Sequence, residues 1–189
     1  MKKAMGTHRF FMFLTLSSIV ATSAYSQETA PNPCEVPDAS QFDFWLGEWN
    51  LTWPAEQSGG KEGDIGAGTN SISKMLDGCV VRENFNSPTT GFRGHSVSVY
   101  DAKKSRWQQT WVDNSGGYLL FTGEFKAGQM ILETEPFARG EETLVNRMVF
   151  RNVTPDSLDW DWQTSKDRGK TWKDLWNIHY QRKQTSRSQ

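Results

Sequence analysis

The sequence predicts an all-β chain: an up-and-down antiparallel barrel of about ten strands, with few or no helices. Three observations predict it. Short runs rich in β-branched and aromatic residues recur along the chain, cut by glycine, proline and asparagine. No stretch of 12 or more residues carries an apolar period of 3.6. The connections between runs stay short, and ten strands so joined lose their bare edges most simply by closing on themselves. A two-sheet sandwich is the alternative, but it normally needs longer crossovers.

The elements follow in chain order. Residues 1–26 read as a secretory signal peptide. Lys2, Lys3 and Arg9 make a basic start, Phe10 to Ala21 is uncharged and mostly apolar, and small residues surround a cut after Ser26. A cut after Ala24 is the close alternative. The apolar run is about a dozen residues, short of the roughly 20 that span a bilayer. Cleavage is therefore expected over anchoring, and no stable membrane insertion afterwards. No cysteine sits at the cut to carry a lipid. The mature chain is expected in the periplasm or outside the cell.

Removing three positive charges moves the formal net charge from -1 to about -4. No basic patch or tail is present, which argues against nucleic acid and anionic membrane surfaces as partners. All nine tryptophans lie in the mature part, a supply of large, flat side chains suited to a core or a ligand cavity. Both cysteines, Cys34 and Cys79, survive cleavage. In an oxidising compartment an even pair usually becomes a disulfide, here tying a proline-rich segment to the body of the domain. A metal pair or a catalytic thiol is the rival reading, though no histidine or further cysteine lies close in sequence.

Residues 27–41, with Pro31, Pro33 and Pro37, read as a linker, residues 42–183 as the barrel, and residues 184–189 as a tail without structure. Strands are expected near 44–53, 65–76, 79–86, 94–101, 106–113, 117–125, 129–135, 143–152, 157–165 and 172–182. Turn chemistry separates them: Asp77-Gly78, Asp101 to Lys104, Asn114 to Gly117, Ala127-Gly128 and Pro155-Asp156. A short helical turn fits 39–46.

A barrel of this size encloses a ligand-sized space, and period-2 alternation shows which side chains share a face. Trp107, Gln109, Trp111 and Asp113 share one; Val81, Glu83 and Phe85 another; Val145, Arg147 and Val149 a third. Each mixes apolar surface with one or two polar groups, as small-molecule sites do. Alternation does not say which face is inside. Glu83 and Arg147 as an internal ion pair, or facing solvent, is the plainer reading.

Residues Ser165, Asp167, Gly169, Thr171 and Trp172 match S-x-D-x-G-x-T-W, which resembles the Asp-box of sialidases and related propellers. Those folds repeat the box, and here it occurs once. One copy implies a stable hairpin, with Asp167 bonding the turn, Gly169 at positive φ and Trp172 capping the core, and no glycosidase chemistry. The mature chain holds His95 and His179 only, without metal-ligand spacing or a G-x-S-x-G elbow. No catalytic residue and no metal is expected. Asp159 and Asp161 share a face opposite Trp160 and Trp162, the pattern of a solvated outside over an aromatic inside. Sequons at Asn50 and Asn152 would matter only in a eukaryotic secretory route.

Phe42-Asp43-Phe44-Trp45-Leu46-Gly47-Glu48-Trp49 resembles the opening motif of DUF1579-like exported bacterial proteins of unknown function, which have a lipocalin-like (calycin) barrel. Leu76-Asp77-Gly78-Cys79 followed by Glu83, the run from Trp107 to Asp113, Cys34 before the opening motif, and the last hairpin ending in Tyr180-Gln181-Arg182 fit the same resemblance. It spans roughly residues 34–183 and implies the barrel and a Cys34–Cys79 bridge, with no established activity. A more distant resemblance is to nitrobindin-like haem barrels, whose late histidine ligates iron. His179 is the counterpart, but alternation sets it with Lys173, Leu175 and Asn177, opposite Trp176, Ile178 and Tyr180. No cofactor is therefore expected.

These readings converge on an exported barrel holding a small, partly apolar ligand. Trp49, Trp107 and Trp111 would supply contact area, and Gln109, Glu83 and Arg147 would orient polar groups. A barrel isomerase or hydrolase using Glu83, Asp113 or His95 is the second reading, and a structural module without a ligand the third.

Overall fold

The computed structural model describes residues 34–184; the segment expected as a signal peptide, the start of the expected linker and the last five residues lie outside them. The strands are β1 (Gly47–Pro54), β2 (Ile65–Met75), β3 (Val80–Ser87), β4 (Phe92–Asp101), β5 (Arg106–Asp113), β6 (Tyr118–Lys126), β7 (Gln129–Glu133), β8 (Phe137–Arg139), β9 (Glu142–Arg151), β10 (Ser157–Ser165) and β11 (Lys173–Arg182). Each pairs antiparallel with its neighbours, β7 passes directly to β9, and β11 returns to β1. Ten strands thus close into a barrel. The three-residue β8 is an added flap on β9 that the sequence pattern did not single out. Among the described residues, helical structure is confined to 3-10 turns at Pro37–Ser40, Asp43–Trp45 and Ala55–Ser58.

Closure has a clear cause in the side chains. Trp49, Leu51 and Trp53 of β1 and Ile178 and Tyr180 of β11 are buried and alternate with exposed polar residues. Trp160 and Trp162 of β10 turn the same way, although Asp161 between them, expected on a solvated face, is itself buried and held by Arg151. Curling the sheet gathers the inward set together and gives each of the ten barrel strands a partner on both sides. Glycines let the rings fit: a methyl at Gly94 would overlap the Trp111 ring that crosses its backbone.

One end of the barrel is plugged. The segment before β1 folds inward, so Phe44 to Leu46, expected as strand, belong to the plug. Phe42 meets Trp107 edge-on at 4.8 Å, and Trp45 meets Phe150 at 4.9 Å between ring centroids. Cys34 and Cys79 are disulfide-bonded, with Cα atoms 5.0 Å apart, and so hold this segment to the β2–β3 turn. That turn runs through Leu76, Asp77 and Gly78 at positive φ.

The β10–β11 hairpin carries the Asp-box-like motif as a local clamp. The Thr171 backbone N–H donates to Asp167 Oδ1 at 2.8 Å, the Thr171 hydroxyl to Oδ2 at 2.6 Å, and the Ser165 hydroxyl to Oδ1 at 2.7 Å. These bonds hold the Asp167 carboxyl at about 2. Arg168 and Gly169 take the positive φ of the turn. Trp172 does not cap the core: it lies under the Arg147 guanidinium, 3.9 Å from the ring centroid, on the outer face. Among the described residues no helix is long and apolar enough to cross a membrane.

Candidate functional site

The barrel is not filled. A cavity of about 260 Å³ lies toward the end opposite the plug. Its walls are aromatic and apolar: Phe85 from β3, Phe92 from β4, Trp111 from β5, Phe121 from β6, Trp160 and Trp162 from β10, and Trp176 from β11. Trp160 and Trp162 lie nearly parallel, 4° between planes, and Trp176 stands edge-on to Trp160 at 6.1 Å. Strand alternation aims these rings inward at every second position, so neighbouring strands build a continuous π-lined wall.

The floor is polar. Glu83, Tyr180 and Trp45 face the cavity, backed by Asn70 and Ser96. Asn70 Nδ2 donates to Glu83 Oε1 at 2.7 Å and to the Tyr180 hydroxyl at 3.1 Å. The Ser96 hydroxyl donates to Glu83 Oε2 at 2.6 Å. Among the described residues, no lysine or arginine lines the cavity. Burial therefore dominates the Glu83 carboxyl and raises it to about 7, against the opposing pull of the bonds from Ser96 and Asn70. Burial, and the nearby Glu83 charge, push the Tyr180 phenol above its ordinary range. At neutral pH Tyr180 is a hydroxyl, and Glu83 is poised between acid and carboxylate.

The residues singled out from the sequence fall into three groups. Glu83 and Trp111 line the cavity. Trp49, Trp107 and Gln109 are inside the barrel but do not reach it. Trp49 donates to the Trp45 carbonyl at 2.7 Å, Trp107 to Gln41 Oε1 at 3.1 Å, and Gln109 to Ser98 Oγ at 2.9 Å. They pack the plugged half. Arg147 requires a correction, because its face points outward. It donates to Gln163 Oε1 at 2.6 Å and lies 3.9 Å from Glu133 Oε1. The strand register explains this: Trp160 and Trp162 sit opposite Phe150 and Met148, so Arg147, next to Met148 in sequence, falls on the other face.

Asp113 borders the cavity, but its carboxylate is occupied by Trp111 Nε1 at 3.0 Å and the Ser115 and Gly117 amides at 2.9 and 3.0 Å. His95 is exposed on β4 and does not converge with Glu83. His179 also faces out, with Nδ1 2.8 Å from Asp159 Oδ1. That outer face includes Arg151, which donates to Asp161 Oδ2 at 2.6 Å and Asp159 Oδ2 at 3.1 Å. The histidine position of a nitrobindin-like haem site is thus outside this barrel. Among the described residues no cluster of three His, Cys, Asp or Glu side chains is placed to hold a metal ion.

Asn70 and Ser96 had no motif to mark them, and Tyr180 entered only within the closing hairpin of the family resemblance, with no role attached. The signal for its direction was alternation in the last strand, which groups Tyr180 with Trp176 and Ile178.

Comparison with known proteins places the chain without assigning it an activity. No curated protein matches it. Among solved structures, a protein with unknown function from the DUF3598 family of Nostoc punctiforme aligns at 8% identity, covering 75% of this chain and 97% of that chain, with a TM-score of 0.24. A likeness of that size carries no argument. The family described as "Protein of unknown function (DUF1579)" matches residues 40–182, most of the chain including every strand of the barrel, and the chain belongs to that family.

Proposed function

We propose that this chain is an exported binding protein that holds a small, largely apolar molecule in the barrel, against the aromatic walls and over the Glu83–Tyr180 floor. One observation carries the reading: the closed barrel keeps an aromatic-walled cavity with a few buried polar groups gathered at one point. Small-molecule sites combine apolar area with a few placed donors and acceptors in this way. The Cys34–Cys79 disulfide supports export to an oxidising compartment, periplasmic or extracellular.

An acid–base enzyme is the second reading, favoured by a carboxyl near 7 beside a phenol. It lacks a second titrating partner, because Asp113 is committed to a turn and His95 lies outside.

Titration of the mature protein with the neutral dye Nile red, followed by tryptophan quenching and dye emission, tests the binding reading. Saturable binding at one site, abolished by the cavity-filling variant Leu119→Trp, is expected. Dye binding that ignores this substitution, or no binding by the dye or by any component of a metabolite extract, would overturn it.

A further inference from the structure

The hydrogen-bonding inventory at the floor is unbalanced. The Tyr180 hydroxyl accepts from Asn70 Nδ2 at 3.1 Å, and its own O–H donates to no acceptor among the described residues. The Trp45 indole N–H, on a side chain 1% exposed, leans toward the Tyr180 oxygen but makes no full hydrogen bond. The Trp176 N–H, on the cavity wall, is also buried without a partner. Each Glu83 oxygen already receives one bond, from Asn70 and Ser96, and the unpartnered Asn70 Oδ1 belongs to a residue that does not line the cavity. Three buried donors on cavity-lining residues thus have no hydrogen-bond acceptor among the described residues. Buried donors are nearly always satisfied in folded proteins, and leaving one unpaired costs about 1–3 kcal/mol.

We infer that the ligand is a neutral, largely aromatic or polycyclic molecule ending in a carbonyl oxygen, which accepts from the Tyr180 hydroxyl and the Trp45 N–H. This rests on the binding reading and names its ligand class. A carboxylate ligand is disfavoured, because no lysine or arginine among the described residues lines the cavity and Glu83 stands beside the donors. An organic cation would suit the aromatic walls, yet it would leave all three donors unpaired. A carbonyl oxygen has two lone pairs, matching two donors that meet near the Tyr180 oxygen.

The test compares three probes of one shape: 2-acetylnaphthalene, 2-ethylnaphthalene and 2-naphthylmethylammonium, with tryptophan quenching for affinity and infrared spectroscopy for the bound ketone. The ketone is expected to bind about tenfold more tightly than the hydrocarbon, the size of one buried hydrogen bond. Its C=O stretch should move to lower wavenumber than in hexane. In Tyr180→Phe the ratio should fall toward one and the band should return, with near-UV circular dichroism checking the fold. If that variant does not fold, Trp45→Phe is expected to reduce both the ratio and the shift.

A wild-type ratio near one, or an unshifted band showing that the Tyr180 proton is held within the protein, would overturn the inference. So would tighter binding of the ammonium. Hydrocarbon binding without a ketone preference overturns this inference alone, whereas failure of all three probes also counts against the binding reading.

Discussion

The Arg182 guanidinium lies over the Trp49 ring, 4.1 Å from its centroid, joining the last strand of the barrel to the first. The same group donates to the Leu46 carbonyl at 2.6 Å and the Phe44 carbonyl at 3.2 Å, both in the plug, and to the Pro155 carbonyl at 2.7 Å. One planar fork thus seats the plug on which the cavity floor rests. Arg182→Lys should cost about 2 kcal/mol, because a single ammonium cannot reproduce that fork or its stacking. Urea unfolding should show it as a lower midpoint, with Arg182→Ala at least as severe.

The disulfide secures the same plug from its other side. It joins residues 45 apart in sequence, so reduction frees a long loop in the unfolded chain. Cys34→Ser with Cys79→Ser is expected to lose about 2–4 kcal/mol. Thermal unfolding of the wild type, with and without reductant, checks this, and the double variant should be insensitive to reductant.

Glu83 makes stability depend on pH in a stated direction. Its carboxyl titrates at 4.5 when exposed and at about 7 in the fold. Between those values the folded state binds more proton than the unfolded state, so stability falls as pH rises through this window. It is highest below the unfolded value and levels off above the folded one. The full loss is about 3 kcal/mol. Glu83→Gln should flatten this part of the profile and be the more stable form at pH 8. Urea midpoints across pH 4 to 8 decide it, and a wild type that gains stability over that window would contradict the burial argument.

Gly94 sets the position of Trp111, because the indole crosses its backbone where a Cβ would overlap the ring. Gly94→Ala should displace Trp111 and cost about 1–3 kcal/mol through overpacking. Trp111 also bonds Asp113, so the β5–β6 turn should loosen with it. Hydrogen exchange at the Ser115 and Gly117 amides should rise, while exchange in the plug stays unchanged.

Much of this fold was legible along the chain. Strand runs, turn chemistry and short connections led to ten barrel strands whose observed bounds differ mostly by a few residues at their ends. They missed only the short flap Phe137–Arg139, a segment too brief to show a period. The Asp-box-like hairpin was readable because its bonds join residues two to four apart. The grouping of Glu83 with Val81 and Phe85, and of Arg147 with Val145 and Val149, was likewise local and correct.

By itself, then, the sequence determined the strands, their two faces and the family, because period-2 alternation and turn preferences are short-range properties. Only the tertiary structure decided which faces look inward. Closure turned Glu83 in and Arg147 out, and inward folding of the plug made Trp49 and Trp107 packing residues rather than cavity wall. It also brought Asn70 to Tyr180 across 110 residues. That contact depends on β1 standing between β2 and β11 in a closed ring, a relation that no local pattern encodes.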